Sequence, residues 1–250
     1  MLAELKMELK TDNKQFGYFQ SSNLQGVIME KVSPVYAGFL HEQGLNPYSQ
    51  HIEKNDEKII WVIHTLDKDA YEQIIHPLLD ESFQTFCIHK KGIRVDILSK
   101  EVRTIPKNQL ISKFYQEEAE KFFDIEFITP TSFKSQGNYS IMPDLRLIYQ
   151  SLMNKSASCC SDMNLYDEEL LEELIRNSYI SGYRLKSTFF PLEGIKIPSF
   201  KGCINIRVKG ADTIAKYIRF LTEFGEYSGI GIKTAMGMGA IKIIKKDRRK

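Results

Sequence analysis

The hydrophobic periods of this sequence run through the same order twice, which constrains the fold more than any single motif. Residues 2–9 alternate, with Ala3, Leu5, Met7 and Leu9 on one side and Glu4, Lys6 and Glu8 on the other. A period of two predicts a half-buried strand. Residues 23–43 carry Leu24, Val27, Ile28, Val32, Tyr36, Phe39 and Leu40 at near-helical spacing. Pro34 interrupts that helix, Ser33 is the expected new N-cap, and Gly44 is the stop. An extended piece near Tyr48, a strand over 59–65, a helix from Asp67 to about Ile75 ended by Pro77, and a hairpin of 82–89 with 93–98 complete the first half. Strand, helix, strand, strand, helix, strand is the ferredoxin-like plan.

The second half repeats it. A strand is expected at 122–128, helices at 144–153 and 167–177 with a polar Asn/Ser/Cys loop between them, and long alternating strands at 179–190 and 200–208. An amphipathic helix at 211–224 and a strand at 239–244 follow. The halves share no obvious sequence identity, so the repeat is one of element order. The expected fold is α+β, two tandem ferredoxin-like domains over residues 1–112 and 113–250, jointed near Pro106 and the charged run 117–121.

Composition sets the class. With 42% hydrophobic and 26% charged residues, the chain is too apolar to be disordered. Its longest strongly apolar run, Ile59 to Ile63, is far short of the ~20 residues of a membrane span, and its alternating start is no signal peptide. Cys87, Cys159, Cys160 and Cys203 form no CxxC pair, so a reduced, cytoplasmic protein is expected. The five histidines show no metal spacing, and neither a metal nor a cofactor is expected. His64, alternating with Ile60 and Val62, and Trp61 read as packed residues.

A formal net charge of +2 hides an asymmetry. Residues 179–250 hold fifteen Lys and Arg against five Asp and Glu, an excess that suits a polyanion. Arg184, Lys186 and Thr188 share one side of their strand, and Lys201, Asn205 and Arg207 one side of theirs. If the strands pair, the basic rows merge into one strip for an extended phosphate backbone. A solvated sheet face accounts for the same charges.

The densest local motif lies beside them. Residues 229–239 hold four glycines, Gly229, Gly231, Gly237 and Gly239, around Lys233 and Thr234. Glycines let backbone N–H groups approach an anion closely. Ile232 precedes Lys233 where a Walker loop needs Gly, and Thr234 stands where a dinucleotide fingerprint needs its third Gly. A plain connector and a phosphate-contacting loop both fit the pattern, and the basic context favours the second.

The run EYSGIGIKTAMGMGAIKI resembles the C-terminal glycine-rich motif of the CRISPR-associated repeat-cleaving endoribonucleases, the sixth Cas family of the RAMP superfamily. IEFITPTSFKSQGNY, LRLIYQSLM, FKGCINIRVKG and LHEQGLNPYS match as well, so the resemblance spans the chain and is closest to members found beside type III-A interference complexes. It implies tandem ferredoxin-like folds that bind the repeat of precursor CRISPR RNA and cut it once without metal. Transient contact with a type III-A interference complex, and a monomer or homodimer, are the associations it implies. In the TPTSFKSQG loop it draws attention to Ser132, Lys134 and Gln136, near the RNA groove of the family. One departure is that Lys201-Gly202-Cys203-Ile204 lacks the aromatics of RNA-recognition domains, so base stacking on the sheet is not expected.

The resemblance also places a catalytic histidine in the LHEQG segment, at His41, near the end of the first long helical stretch. From residues alone, the usual reading is a helix-terminal histidine pairing with the C-terminal dipole. RNA cleaves itself once its 2′-OH is deprotonated and aligned with the adjacent phosphorus. An enzyme then needs a proton acceptor, a proton donor and a cation. The family adds a Tyr and a Lys at variable positions, for which Lys54 and Tyr36 rank first and His51 is the substitute. Two other functions stay open: a non-catalytic RAMP-type RNA-binding subunit, and a small-phosphate enzyme that uses the glycine loop.

Overall fold

The computed structural model describes residues 1–55, 58–118, 120–159 and 167–244. Strand β1 (Leu2–Lys10) leads to α1 (Ser21–Lys31) and α2 (Pro34–Glu42). The break between the helices is the expected one. Pro34 takes the first turn of α2, where a missing N–H costs nothing, and Ser33 Oγ accepts from the Tyr36 N–H at 3.3 Å. Next come β2 (Tyr48–Lys54), β3 (Ile59–Thr65) and α3, a composite helix over residues 68–79. Asp67 caps α3 by accepting from the Ala70 N–H at 2.7 Å.

Pro77 does not end α3. A π-helical turn at Tyr71–Ile75 widens the spiral just ahead of the proline, and helix resumes at His76–Leu79. The wider turn makes room for a ring that would otherwise crowd the carbonyl four residues back. Strands β4 (Thr85–Ile88) and β5 (Ile93–Ile105) close the first module. β5 continues past the expected end at Leu98 because it pairs along the whole of β1, with Ile105 opposite Leu2. The antiparallel sheet has the order β2-β3-β1-β5-β4, a ferredoxin-like sheet with β4 added at one edge.

Helix α4 (Lys107–Gln116) follows, with Ile111 and Phe114 against the second core. That core belongs to β6 (Phe122–Thr131), the small hairpin β7 (Phe133–Ser135) and β8 (Asn138–Ser140), and α5 (Leu145–Cys159) with α6 (Glu168–Arg176). The remaining elements are β9 (Ser178–Leu192), β10 (Ile195–Val208), α7 (Asp212–Ser228) and β11 (Ile241–Ile243). Their sheet, β11-β6-β10-β9, has the ferredoxin-like order. Within the TPTSFKSQG segment the chain forms the β7–β8 hairpin, because Gln136 and Gly137 both take positive φ, 49° and 81°, as a two-residue hairpin turn demands. Cys160, the rest of the polar loop to residue 166, and the basic tail 245–250 lie outside the described residues.

Leu5, Met7, Leu24, Ile28, Trp61, Ile63 and Ile74 fill the first core, and Ile125, Phe127, Ile148, Leu152, Ile204, Ile218 and Phe224 the second. The polar side of the first sheet does not simply face water. Ser49 Oγ donates to Tyr227 O at 2.5 Å, and Lys242 Nζ stands 3.1 Å from Glu53, so this side meets α7 and β11 of the second module.

Candidate functional site

Strands β9 and β10 pair so that Lys186 lies opposite Lys201, Arg184 opposite Cys203, and Tyr179 opposite Arg207. Opposed residues of an antiparallel pair share a face. Ile204, Ile206 and Val208 occupy the other face and are buried. Arg184, Lys186, Lys201 and Arg207 therefore line one open side of the sheet, as the alternation predicts. Acidic groups of β6 stand among them: Glu126 pairs with Cys203, and Asp124 accepts from Asn205 Nδ2. Burial, and then the charge of Lys186, lower the Lys201 ammonium from its ordinary value.

Lys201 sits on an irregularity. The register of β10 against β6 shifts between Phe200 and Gly202. Gly202 takes φ +127°, and a Cβ there would lie 2.1 Å from Arg184 O, so only glycine fits. Such bulges re-aim side chains.

Here the strip meets a cleft of about 580 Å³ between the modules, lined by Tyr18, Phe19, Lys54, Asn55, Lys201 and Lys242 among others. Lys201 Nζ is 5.4 Å from the centroid of Tyr18, and Lys54 Nζ donates to Lys14 O at 2.9 Å. Lys54 of the first module and Lys201 of the second are thus brought to one opening. The aromatics missing from the sheet motif are present here, on the loop after β1. Sequence reasoning passed over Tyr18 and Phe19, although an aromatic pair after Gly17 in a polar connection was the available signal.

His41 is exposed on the last turn of α2. Tyr36 is half-buried, stacked on Phe39 at 5.4 Å between ring centroids. It lines a second cleft with Ser33, Asp67, Asp69 and Glu72. Asp67 follows β3, whose Thr65 pairs with Tyr48, whereas Lys54 pairs with Ile59 at the other end of β2. Seven residues of strand span about 20 Å. Tyr36 and Lys54 are therefore not side by side. His51 is 3% exposed, with Nε2 3.3 Å from Glu53. As the substitute helper it is out of reach, because its strand turns it into the module interface. His64 is buried beside Glu4 at 3.1 Å, as a packed residue.

The glycine-rich loop folds inward. The N–H groups of Ile230, Ile232 and Gly239 donate to Gly239 O, Ser132 O and Pro130 O, and that of Gly231 to Ser151 Oγ at 2.8 Å. Gly229, Gly231, Gly237 and Gly239 all take positive φ, and a Cβ on Gly231 or Gly239 would lie 2.3 or 2.0 Å from backbone oxygen. Thr234 is buried, and Lys233 alone is exposed among residues 229–240. Lys134 is exposed on the adjoining hairpin, opposite Tyr139.

Residues 125–241, which include Lys134, the basic strip and the glycine loop, match the family described as CRISPR-associated endoribonuclease Cas6. The CRISPR-associated endoribonuclease Cas6 of Streptococcus thermophilus is 36% identical over 224 residues, covering 87% of this chain and 88% of that one. This chain belongs to the Cas6 family. The Cas6 of Mycobacterium tuberculosis (strain CDC 1551 / Oshkosh) is 37% identical over 222 residues, covering 88% of this chain and 70% of its own length. Among solved structures, a Cas6 product complex superposes with a TM-score of 0.78 at 20% identity, covering 98% of this chain and 100% of that one. A RAMP protein described as binding different RNA substrates gives 0.64 at 15% identity, covering 97% and 100%. At such identities these structures speak for the shared Cas6 fold, two ferredoxin-like modules in tandem.

Proposed function

We propose that this protein is a metal-independent endoribonuclease that processes precursor CRISPR RNA, cutting once within each repeat, in antiviral defence. The observation that carries this is the strip of Arg184, Lys186 and Lys201 running into the cleft that holds Lys54 and Lys242. That surface suits a strand with many phosphates, and Tyr18 and Phe19 offer ring faces for unpaired bases. Membership of an endoribonuclease family turns binding into cutting.

In this reading residues 1–112 supply the chemistry and residues 113–250 the grip. His41, exposed at the end of α2, exchanges the proton of the 2′-OH or of the leaving 5′-oxygen. The products are a 2′,3′-cyclic phosphate and a 5′-OH. Tyr36 assists from the same helix, while Lys54, ranked with it in the sequence as a helper, opens onto the basic cleft at the other end of β2 and holds the RNA backbone there instead of the scissile phosphate. Arg207, Lys134 and the exposed Lys233 of the glycine loop extend the phosphate contacts, with Thr234, Gly229, Gly231, Gly237 and Gly239 shaping the loop. Association with a type III-A interference complex is transient. We assign the protein to the cytoplasm, and no helix among the described residues is long and apolar enough to cross a membrane.

End-labelled repeat RNA incubated with the protein in excess EDTA tests the reading. One cut with a cyclic-phosphate end supports it. Binding without cutting, or cutting abolished by EDTA, overturns it.

A further inference from the structure

The glycine-rich loop is held by one face of α5. Lys155 is 4% exposed, and its Nζ donates to Gly229 O at 2.9 Å, Ser228 O at 3.3 Å and Thr234 Oγ1 at 3.4 Å. One turn earlier, Ser151 Oγ accepts from the Gly231 N–H at 2.8 Å. Residues four apart on a helix are neighbours, so Ser151 and Lys155 grip the loop together. Ser228 ends α7, and the ammonium therefore also meets the negative end of that helix.

The loop's other side is seated on the first module. Ala235 is buried in the first core and its carbonyl accepts from Gln50 Nε2 at 3.2 Å. A Cβ on Gly237 would lie 2.1 Å from Ser21 Cβ. Between these two anchorages stands Lys233, exposed and left-handed at φ +58°. That backbone region is unfavourable for a residue with a side chain. Its carbonyl accepts from the Met236 and Met238 N–H groups at 2.9 and 3.3 Å, and the Ile232 N–H before it donates to Ser132 O. Helix α5 reaches the loop on either side of this turn, Ser151 at Gly231 and Lys155 at Thr234.

We infer that Lys155, with Ser151, is a positioning residue for RNA binding: it fixes the loop backbone so that Lys233 is presented to the RNA strand, while its own ammonium stays buried and touches no RNA. An apolar side chain could fill the same space, but it could not tie together acceptors from the end of α7 and from the loop. The inference rests on the proposed contact between the loop and RNA, and the test separates the two.

Affinity for labelled repeat RNA is measured at several salt concentrations for wild type, Lys233→Ala, Lys155→Met, Ser151→Ala and each of the last two combined with Lys233→Ala, alongside the thermal midpoint of each. Lys233→Ala is expected to weaken binding about fivefold or more and to reduce the salt slope by about 0.7 to 0.9, one phosphate contact. Lys155→Met and Ser151→Ala are expected to bring the same loss of slope, and to add little once Lys233 is gone, because all three remove one contact. Ser151→Ala leaves every charge in place and keeps the test valid should Lys155→Met fold poorly. Wild-type binding by Lys233→Ala would show that the loop does not meet RNA, and the underlying reading falls. If Lys233→Ala weakens binding but the α5 variants lower only the thermal midpoint, or add in full, the positioning role is overturned.

Discussion

Lys186 and Lys201 stand directly opposite one another on β9 and β10, two ammonium groups on one face of the sheet. Like charges so placed destabilise a sheet, and Lys201 already has a lowered affinity for its proton through burial and through Lys186. The arrangement costs the free protein and favours an arriving anion. Lys186→Met and Lys201→Met are each expected to leave the free protein as stable or slightly more stable, while weakening RNA binding and reducing the salt slope by about 0.7 to 0.9. Fluorescence anisotropy over a salt series measures this, and an unchanged slope would take the strip out of the interface.

His41 is exposed at the end of α2 and makes no contribution to either core. His41→Ala should therefore fold normally and bind repeat RNA within about threefold of wild type, yet cut it at least ~10²-fold more slowly, the scale of a lost general acid or base. Single-turnover cleavage with protein in excess is the measurement. A wild-type rate would remove His41 from the mechanism.

Lys54 and Tyr36 lie towards opposite ends of β2, as the pairing of Lys54 with Ile59 and of Tyr48 with Thr65 requires. Because Lys54 opens onto the basic cleft, Lys54→Ala should raise the dissociation constant several-fold, the loss of about one phosphate contact. Its cleavage rate at saturating protein should stay near that of wild type. A slowed chemical step at saturation would instead place Lys54 at the scissile phosphate.

Acid should loosen the contact between the modules in two stages. Burial lowers the His51 imidazole below its ordinary 6.5, so it is neutral in the fold and donates Nε2–H to Glu53. That bond, against burial and aided by Lys242, holds the Glu53 carboxyl at about 2, and Glu4, pushed up by burial but drawn down by His64 and Lys6, also lies at about 2. All three groups bind protons less readily folded than unfolded, so their contribution is present at high pH and falls as pH drops. The first loss begins below 6.5 with His51, and the second runs from 4.5 towards 2 with the carboxylates. Thermal midpoints across this range should trace both stages, and Glu53→Gln should flatten the lower one.

Gly239 and Gly26 make a contrasting pair. Gly239 takes φ +71° with Ile230 O 2.0 Å from any Cβ, whereas Gly26, inside α1, has nothing within 4 Å of one. Gly239→Ala should cost about 3 kcal/mol or more in urea unfolding. Gly26→Ala should be neutral or stabilising by up to about 1 kcal/mol. Equal effects would mean that the loop is not packed as described.

The elements that announced themselves in the sequence are those with strong local physics. Ser33, Pro34 and Asp67 mark helix starts by their own chemistry, and the alternation along β9 and β10 places Lys186 and Lys201 on one side without reference to the rest of the chain. Where the decision was not local, the sequence was silent. The continuation of β5 to Ile105 depends on β1 as its partner. Gln136-Gly137 turns a hairpin that composition alone reads as a polar loop. Glu4, His51 and Glu53 occupy the polar side of ordinary alternating strands, which looks solvated until a second module covers it. The glycine loop was legible as glycine-rich, but Gly231 and Gly239 are there to let backbone pass close to the Ser132 and Ile230 carbonyls, and Gly229 and Gly237 to make room for the side chains of Thr234 and Ser21, roles that only those residues in their places reveal.

Ala235 completes the first core, and its carbonyl holds Gln50 across a separation of 185 residues. During synthesis the amino-terminal half must leave the ribosome with that seat vacant and wait until residue 235 has been made before it can be filled. A truncated nascent product therefore lacks the plug that finishes its older half, and docking of the two halves becomes the closing event of folding rather than a later encounter between finished bodies.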